Sequence, residues 1–333
     1  MVTITDVARL AGVSKTTVSH AISGKRPVAP ATRERIAQII EELGFRPNAL
    51  ARSLRMQRTQ MIALIIPDIT DPYSPALARG LQDTLASHGY YSILCNTDGM
   101  WHQEHEFIAN AIQRRVDGII LSSCYNRTED IRRLIENNVA FVSIGSNANH
   151  PNMDHVTTDD QTGAMDATCY LLQQGHRRIG FIGGPSEQIR AGARFAGYRE
   201  ALGMANVALD EALIVEGDFT RAGGQRAIYT LMERFDSTTR PTAIFCANDL
   251  MAIGALDVAR QSGMMIPDEL AIVGYDDITA ASFVTPSLTT IQNSAYDAGK
   301  VAGQLLLERI TGMYRGPGRH VVMPHHFIQR ESA

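Results

Sequence analysis

The spacing of apolar residues changes near residue 60. Before it, apolar positions recur at helical spacing: Ile4, Val7, Ala8 and Ala11 share one face of a short segment, and Ile36, Ile39, Ile40 and Leu43 share the face of a longer one. After it, continuous apolar runs at 62–67, 91–95, 118–123, 141–145, 178–183, 243–247 and 270–275 alternate with helical stretches such as 76–88 and 131–137. Runs that do not alternate with polar residues imply strands buried on both faces, hence parallel sheets covered by helices. The pattern occurs twice with a break near 158–163, which predicts two similar lobes. The first takes about 60–160 with 292–320, the second about 161–291 with 321–333.

The first sixty residues predict three helices. Residues 4–11 form the first, capped by Thr3 or Thr5, with Asp6 at the positive end of its dipole. Gly12 stops it, because a glycine takes the left-handed turn without steric cost. Ser14 caps a second helix over 15–23, and 30–43 forms the third. Ala8 is small where two helices cross, and Val18 and Ile22 are expected on the buried side. That spacing suits two helices joined by a tight turn. The outer face then carries Lys15, Thr16, Ser19, His20 and Ser23, short polar or basic side chains able to reach base edges in a major groove. Residues 48–56 have helix-forming composition but are too few to be stable alone, so a helix there is expected to form only against a partner or DNA.

Charge strengthens this picture. The chain of 333 residues has a net charge of −4, yet residues 1–60 hold 10 Lys and Arg against 4 Asp and Glu. A basic head on an acidic body points to a polyanion touched by the head. Apolar content of 44% with 20% charged residues describes a soluble protein with a sizeable core. The apolar runs are far short of a membrane span, and the opening Met-Val-Thr-Ile-Thr-Asp is unlike a secretory leader, which places the chain in the cytoplasm, at the nucleoid. Cys95, Cys124, Cys169 and Cys246 form no C-x-x-C pair and read as reduced thiols within apolar segments.

The run Thr3-Ile4-Thr5-Asp6-Val7-Ala8-Arg9-Leu10-Ala11-Gly12-Val13-Ser14, followed by Thr17-Val18-Ser19-His20, resembles the headpiece of the LacI/GalR family of transcriptional regulators. Arg46-Pro47-Asn48-Ala49-Leu50-Ala51-Arg52-Ser53-Leu54 resembles that family's hinge helix, and the likeness continues through Arg330, nearest the purine- and ribose-repressor branch. The resemblance implies a fold with an all-α helix-turn-helix headpiece, residues 1–58, including the hinge helix at 48–56. A two-lobed α/β body like a periplasmic binding protein, 60–333, would follow, with two doubly wound parallel sheets. It implies a homodimer on a near-palindromic operator, acting as a repressor of a metabolic operon. Lys15, Thr16, Thr17, His20 and Arg26 would meet DNA, Leu54 would wedge into the minor groove, and Arg55 would reach phosphate. No leucine-heptad tail follows the helix expected at 297–310, which favours a dimer over a tetramer.

Ligands of doubly wound sheets bind beyond the carboxyl ends of the strands. The candidates there are Asp71, Tyr73, Gln188, Arg190, Arg194, Phe219, Asn248 and Asp276, with Gln292 in a later crossing segment. Arginine, carboxylate, amide and aromatic ring together suit a polyhydroxylated effector. In the family, positions matching Arg194, Phe219, Asn248 and Asp276 line the effector site. Asn248-Asp249 and Asp276-Asp277 equally suit caps of the following helices. Gly145-Ser146 and Tyr73-Ser74 depart from relatives that bind simple monosaccharides. This leaves a sugar acid, disaccharide, sugar phosphate or nucleobase as the effector, with Arg190 favouring an anion.

An enzyme is the first alternative, but the sequence carries no G-x-S-x-G, no P-loop and no G-x-G-x-x-G after a strand. His102 and His105, beside Glu104 and Glu106, lack the i,i+4 spacing of a helical zinc site and read as a solvated helix start. No metal and no cofactor are expected. A periplasmic solute-binding protein is the second alternative, which the basic head opposes.

Overall fold

The computed structural model describes residues 2–24, 26–45, 58–122, 128–145, 151, 153–186, 188–236 and 238–333. They fall into two compact units, 1–59 and 60–333.

The first unit is a three-helix module. In α1 (Ile4–Leu10) the Asp6 carboxylate accepts from the Thr3 amide at 3.0 Å and from its hydroxyl at 2.8 Å, so Thr3 is the cap. Gly12 turns the chain at φ +61°. Ser14 then caps α2 (Lys15–Ser23) by accepting from the Thr17 amide at 3.1 Å. Pro30 opens α3 (Pro30–Leu43), where its missing N–H costs nothing. Val7, Ala8, Ala11, Val18, Ile36 and Phe45 form the core. One expectation changes. Ile22 is 41% exposed, and Ala21, one residue earlier on the same turn, packs against the core in its place.

The second unit opens with β1 (Met61–Ile66), in which Ile62, Leu64 and Ile66 face one helix layer while Ala63 and Ile65 face the other. This is the two-sided burial that its unbroken apolar run predicts. The elements that follow are α4 (Tyr73–Ala86), β2 (Tyr91–Asn96), α5 (Trp101–Gln113), β3 (Gly118–Leu121), α6 (Thr128–Glu136), β4 (Ala140–Ile144) and β5 (Asp154–Thr158). A crossing segment leads to α7 (Asp160–Gln173), then β6 (Ile179–Gly183), α8 (Ile189–Met204), β7 (Ile214–Glu216), α9 (Arg221–Arg234), β8 (Ala243–Cys246), α10 (Asp249–Gln261) and β9 (Ala271–Val273). The chain returns through β10 (Thr290–Asn293), α11 (Ala295–Thr311), β11 (His320–Met323) and β12 (His325–Ile328).

The first lobe holds a six-stranded parallel sheet, ordered β11-β5-β4-β3-β1-β2, and the second a four-stranded parallel sheet, β7-β6-β8-β9. β10 and β12 form a separate antiparallel pair. The lobes are joined at Asp159–Asp160, at Ser294 and at Pro324, so the last crossing falls after Met323 and not near 320. β5 and β11 are held together partly by charge. Asp154, fully buried, accepts from Arg309 at 2.7 Å and from Arg319 at 2.8 Å.

His105 is not simply solvated. Its Nδ1 lies 2.6 Å from Asp130 and its Nε2 lies 3.1 Å from Arg133, which ties α5 to α6. Among the described residues no group of three or more His, Cys, Asp or Glu could hold a metal ion. No helix among them is long and apolar enough to cross a membrane.

Candidate functional site

In the headpiece, Lys15 and Thr16 open α2 and are exposed, as are Ser23 and Arg26; Ser19 and His20 are partly exposed. Thr17 differs from them. Its hydroxyl lies 2.9 Å from that of Ser14, so it serves the cap that starts the helix. Leu54 and Arg55, and the expected hinge helix, lie outside the described residues. The exposed set is short, polar or cationic and sits on a rigid helix, which suits phosphate and base-edge contact.

In the body, the strand ends gather side chains from both lobes. Asp71 follows β1 and accepts from the Tyr73 amide at 3.2 Å, bracing the first turn of α4. Tyr73 is buried, and that burial pushes its phenol up to about 12. The Arg190 guanidinium stands over the Tyr73 ring, 5.5 Å from its centroid. Arg190 and Tyr73 line a small cavity with Ser122, Gly145, Thr157 and Thr158. The cavity measures about 10 Å³, room for about one water and not for a ligand of sugar size. Ser122, Thr157 and Thr158 were not among the sequence candidates. Their signal, a hydroxyl at or next to the end of β3 and β5, is common on any surface.

The second cluster centres on Arg194, which is 1% exposed. Its Nε donates to Asp160 at 2.9 Å, one Nη to Asp276 at 3.2 Å and the other to the Ala247 carbonyl. Its guanidinium carbon lies 3.7 Å from the centre of the Tyr275 ring. Burial disfavours the charge, but Asp160 and Asp276 outweigh it and hold the guanidinium above its ordinary range. Asp276 sits at φ +109°, a conformation rare for a non-glycine residue. Burial raises its carboxyl to about 6; the charges of Arg194 and Arg190 work against the rise, and that of Asp71 adds to it. Asp71 and Arg190, from the first cluster, therefore bear on Asp276 in the second.

The remaining candidates make bonds and contacts of their own. Asn248 caps α10, accepting from the Met251 amide at 2.9 Å, and its amide donates to the Phe219 carbonyl at 2.9 Å. Phe219 has φ +63°, and its ring lies so close over Gly184 that a Cβ there would collide with it. Gln292 donates to Asp277 at 3.0 Å, and Asp277 also accepts from Arg330 at 2.6 Å. Asp249 is fully buried and accepts from the Ile278 amide at 2.8 Å and from the Thr290 hydroxyl at 2.5 Å. The capping reading is thus correct for Asn248. Gln188 is half-buried at the start of α8 and does not line the small cavity.

A helix-turn-helix reader carried by a two-lobed α/β body with a polar cleft defines a ligand-responsive DNA-binding regulator. A profile of bacterial regulatory proteins, lacI family, matches residues 3–48, and one of a periplasmic binding protein-like domain matches 168–333. The chain belongs to the lacI family of bacterial regulatory proteins, and it is a transcriptional regulator. It is 36% identical to the HTH-type transcriptional repressor PurR of Vibrio campbellii over 93% of this chain and 92% of that protein. It is 35% identical to the HTH-type transcriptional repressor CytR of Escherichia coli over 96% of this chain and 93% of that one. Among solved structures, the transcriptional regulator CelR in complex with cellobiose superposes with a TM-score of 0.76, at 33% identity and full coverage of both chains.

Proposed function

We propose that the chain is a cytoplasmic, nucleoid-associated repressor of metabolic genes. It binds a near-palindromic operator as a homodimer and is controlled by a small polar effector held between the two lobes. Residues 1–58 are the DNA reader and 60–333 the effector-binding and dimerisation body. The observation that carries the reading is the pairing of an exposed polar face on α2 with a cleft in which Arg194, Asp276 and Tyr73 converge. Buried donors and acceptors at strand ends, with aromatic walls, fit a ring bearing hydroxyls or amides.

The effector class is a sugar, sugar acid, sugar phosphate or nucleobase, in keeping with the cellobiose of the CelR complex. Two chains supply the symmetry that two half-sites require. The exposed apolar side chains of Tyr91, Ile93 and Leu94 on edge strand β2, with Met100 and Trp101 beside it, supply a surface that a second copy would cover.

Fluorescence anisotropy on a labelled palindrome with a central CG step tests this directly. D-ribose, cellobiose, D-gluconate, glucose 6-phosphate and adenine would be added in turn at two salt concentrations. Tight binding that one compound shifts supports the reading, and the sign of the shift separates inducer from co-repressor. Weak binding that is indifferent to both sequence and compounds overturns it.

A further inference from the structure

One buried charge in the body, Arg194, links the cleft to the hinge formed by the segments that cross between the lobes. Arg194 bonds Asp276, at the end of the β9 segment, and Asp160, the first residue of α7. β5 ends at Thr158 in the six-stranded sheet, while Ala164, Ala167 and Leu171 of α7 belong to the core of the other lobe. Asp160 therefore stands on the first crossing segment. The Thr158 hydroxyl donates to it at 3.3 Å, and the neighbouring Asp159 accepts from the Thr162 amide at 3.0 Å, so the segment has little slack.

The other two crossings join the same network. The Asp276 amide donates to the Ile291 carbonyl at 2.8 Å, and the Asp276 carbonyl accepts from the Asn293 amide at 3.4 Å, where β10 leads into the second crossing. Asn293 pairs in register with His325, the first residue after the third crossing, and His325 lies 2.9 Å from Asp166 on α7. Asp160, Asn293 and His325 thus lie along one run of bonds and strand pairing that passes through Arg194 and Asp276.

One guanidinium divided between two buried carboxylates is a divider that either end can bias. We propose that Asp160 is a positioning residue that passes occupancy of the cleft to the hinge. A ligand that draws Asp276 into its own hydrogen bonds leaves Arg194 to Asp160, and the first crossing segment resets. The proposal rests on the reading of the cleft as the effector site. It adds a residue that touches no ligand and sets how strongly occupancy changes the lobe angle.

The test uses the full chain with Asp160→Asn, which keeps the shape and removes the charge. Hydrogen–deuterium exchange without any ligand comes first. Exchange at 158–160, 293–295 and 323–325 is expected to quicken several-fold while β6 and β8 stay protected. A change confined to the first turn of α7, or none at all, overturns the proposal. If Asp160→Asn does not fold, Asp276→Asn probes the network from the other end and must quicken exchange at 158–160; unchanged exchange there overturns it equally.

The second measurement is the ratio of operator affinities with and without whichever compound of the panel shifts the wild type. In Asp160→Asn that ratio falls toward one, and by a larger factor than the compound's own affinity, read by calorimetry. A retained ratio, or a fall no larger than the loss of affinity, overturns the proposal. Should no compound bind the wild type while the exchange pattern holds, the effector reading fails and the hinge network stands.

Discussion

The side-chain amide of Asn248 donates to the backbone carbonyl of Phe219 at 2.9 Å, joining the cap of α10 to the residue whose ring packs over Gly184. The same side chain accepts from the Met251 amide, so one residue starts a helix and holds a ring in a left-handed backbone conformation. Removing it costs both. Asn248→Ala is expected to lose about 1–2 kcal/mol of stability, the worth of a helix cap, and to weaken effector binding about tenfold, equal to roughly 1.4 kcal/mol. Urea denaturation and calorimetry read the two effects separately. Full effector affinity in a destabilised variant would show that Phe219 needs no such anchor.

Asp276 predicts a pH dependence whose sign is fixed by its environment. Its carboxyl sits near 6 in the folded chain against 3.8 as the ordinary value, raised by burial against the pull of Arg194 and Arg190. Between those values the folded state holds a proton that the unfolded state has released. The associated stability is fully present below about pH 4 and is lost as pH rises to about 6. It amounts to roughly 3 kcal/mol for a shift of about two units. Asp276→Asn should flatten that part of the stability curve measured by thermal unfolding at several pH values. An unaltered curve would mean that another group carries the dependence.

Much of the body was legible because its strands are buried on both faces, and Ile62 to Ile66 announces that with an unbroken apolar run. β5 left no such signal. Its sequence Asp154-His-Val-Thr-Thr has one apolar residue, since its place is secured by Asp154 between Arg309 and Arg319. The start of α4 at Tyr73, three residues before the predicted 76, follows from Asp71 bracing the first turn. Ile22 was misplaced because helical periodicity cannot choose between Ala21 and Ile22 at the edge of a narrow core. At the site, charged and aromatic residues stood out in the sequence. The hydroxyls of Ser122, Thr157 and Thr158 and the role of Asp160 did not, because only the fold brings them to one place.

Asp154 carries a second stability prediction. Desolvation would raise its carboxyl, but the bonds from Arg309 and Arg319 outweigh it and hold it at about 2. That stabilisation is present above about pH 4 and is lost as pH falls toward 2, the opposite sense to Asp276. Asp154→Ala leaves two arginines facing an empty place beside β5 and β11. A loss of about 3–5 kcal/mol is expected, as for breaking a buried ion pair from one side, and chemical denaturation would show it. A loss below about 1 kcal/mol would reduce the cluster to a surface pair.

Exposed side chains on α2 predict that affinity and specificity can be changed separately. Lys15 is exposed at the start of α2 and suits a phosphate. Lys15→Ala should weaken binding to all sequences alike and lower the salt slope by about one. Thr16 and His20 suit base edges, so replacing either by Ala should relax preference at one operator position by about 1–3 kcal/mol with the salt slope unchanged. Leu54→Ala should keep non-specific binding and lose operator preference, since a side chain that wedges a base step contributes only where that step opens. Anisotropy titrations against the palindrome and a scrambled duplex, each at several salt concentrations, resolve all three. If Leu54→Ala keeps the ratio of the two affinities, the segment around it plays no part in recognition, and α2 alone must account for the choice of sequence.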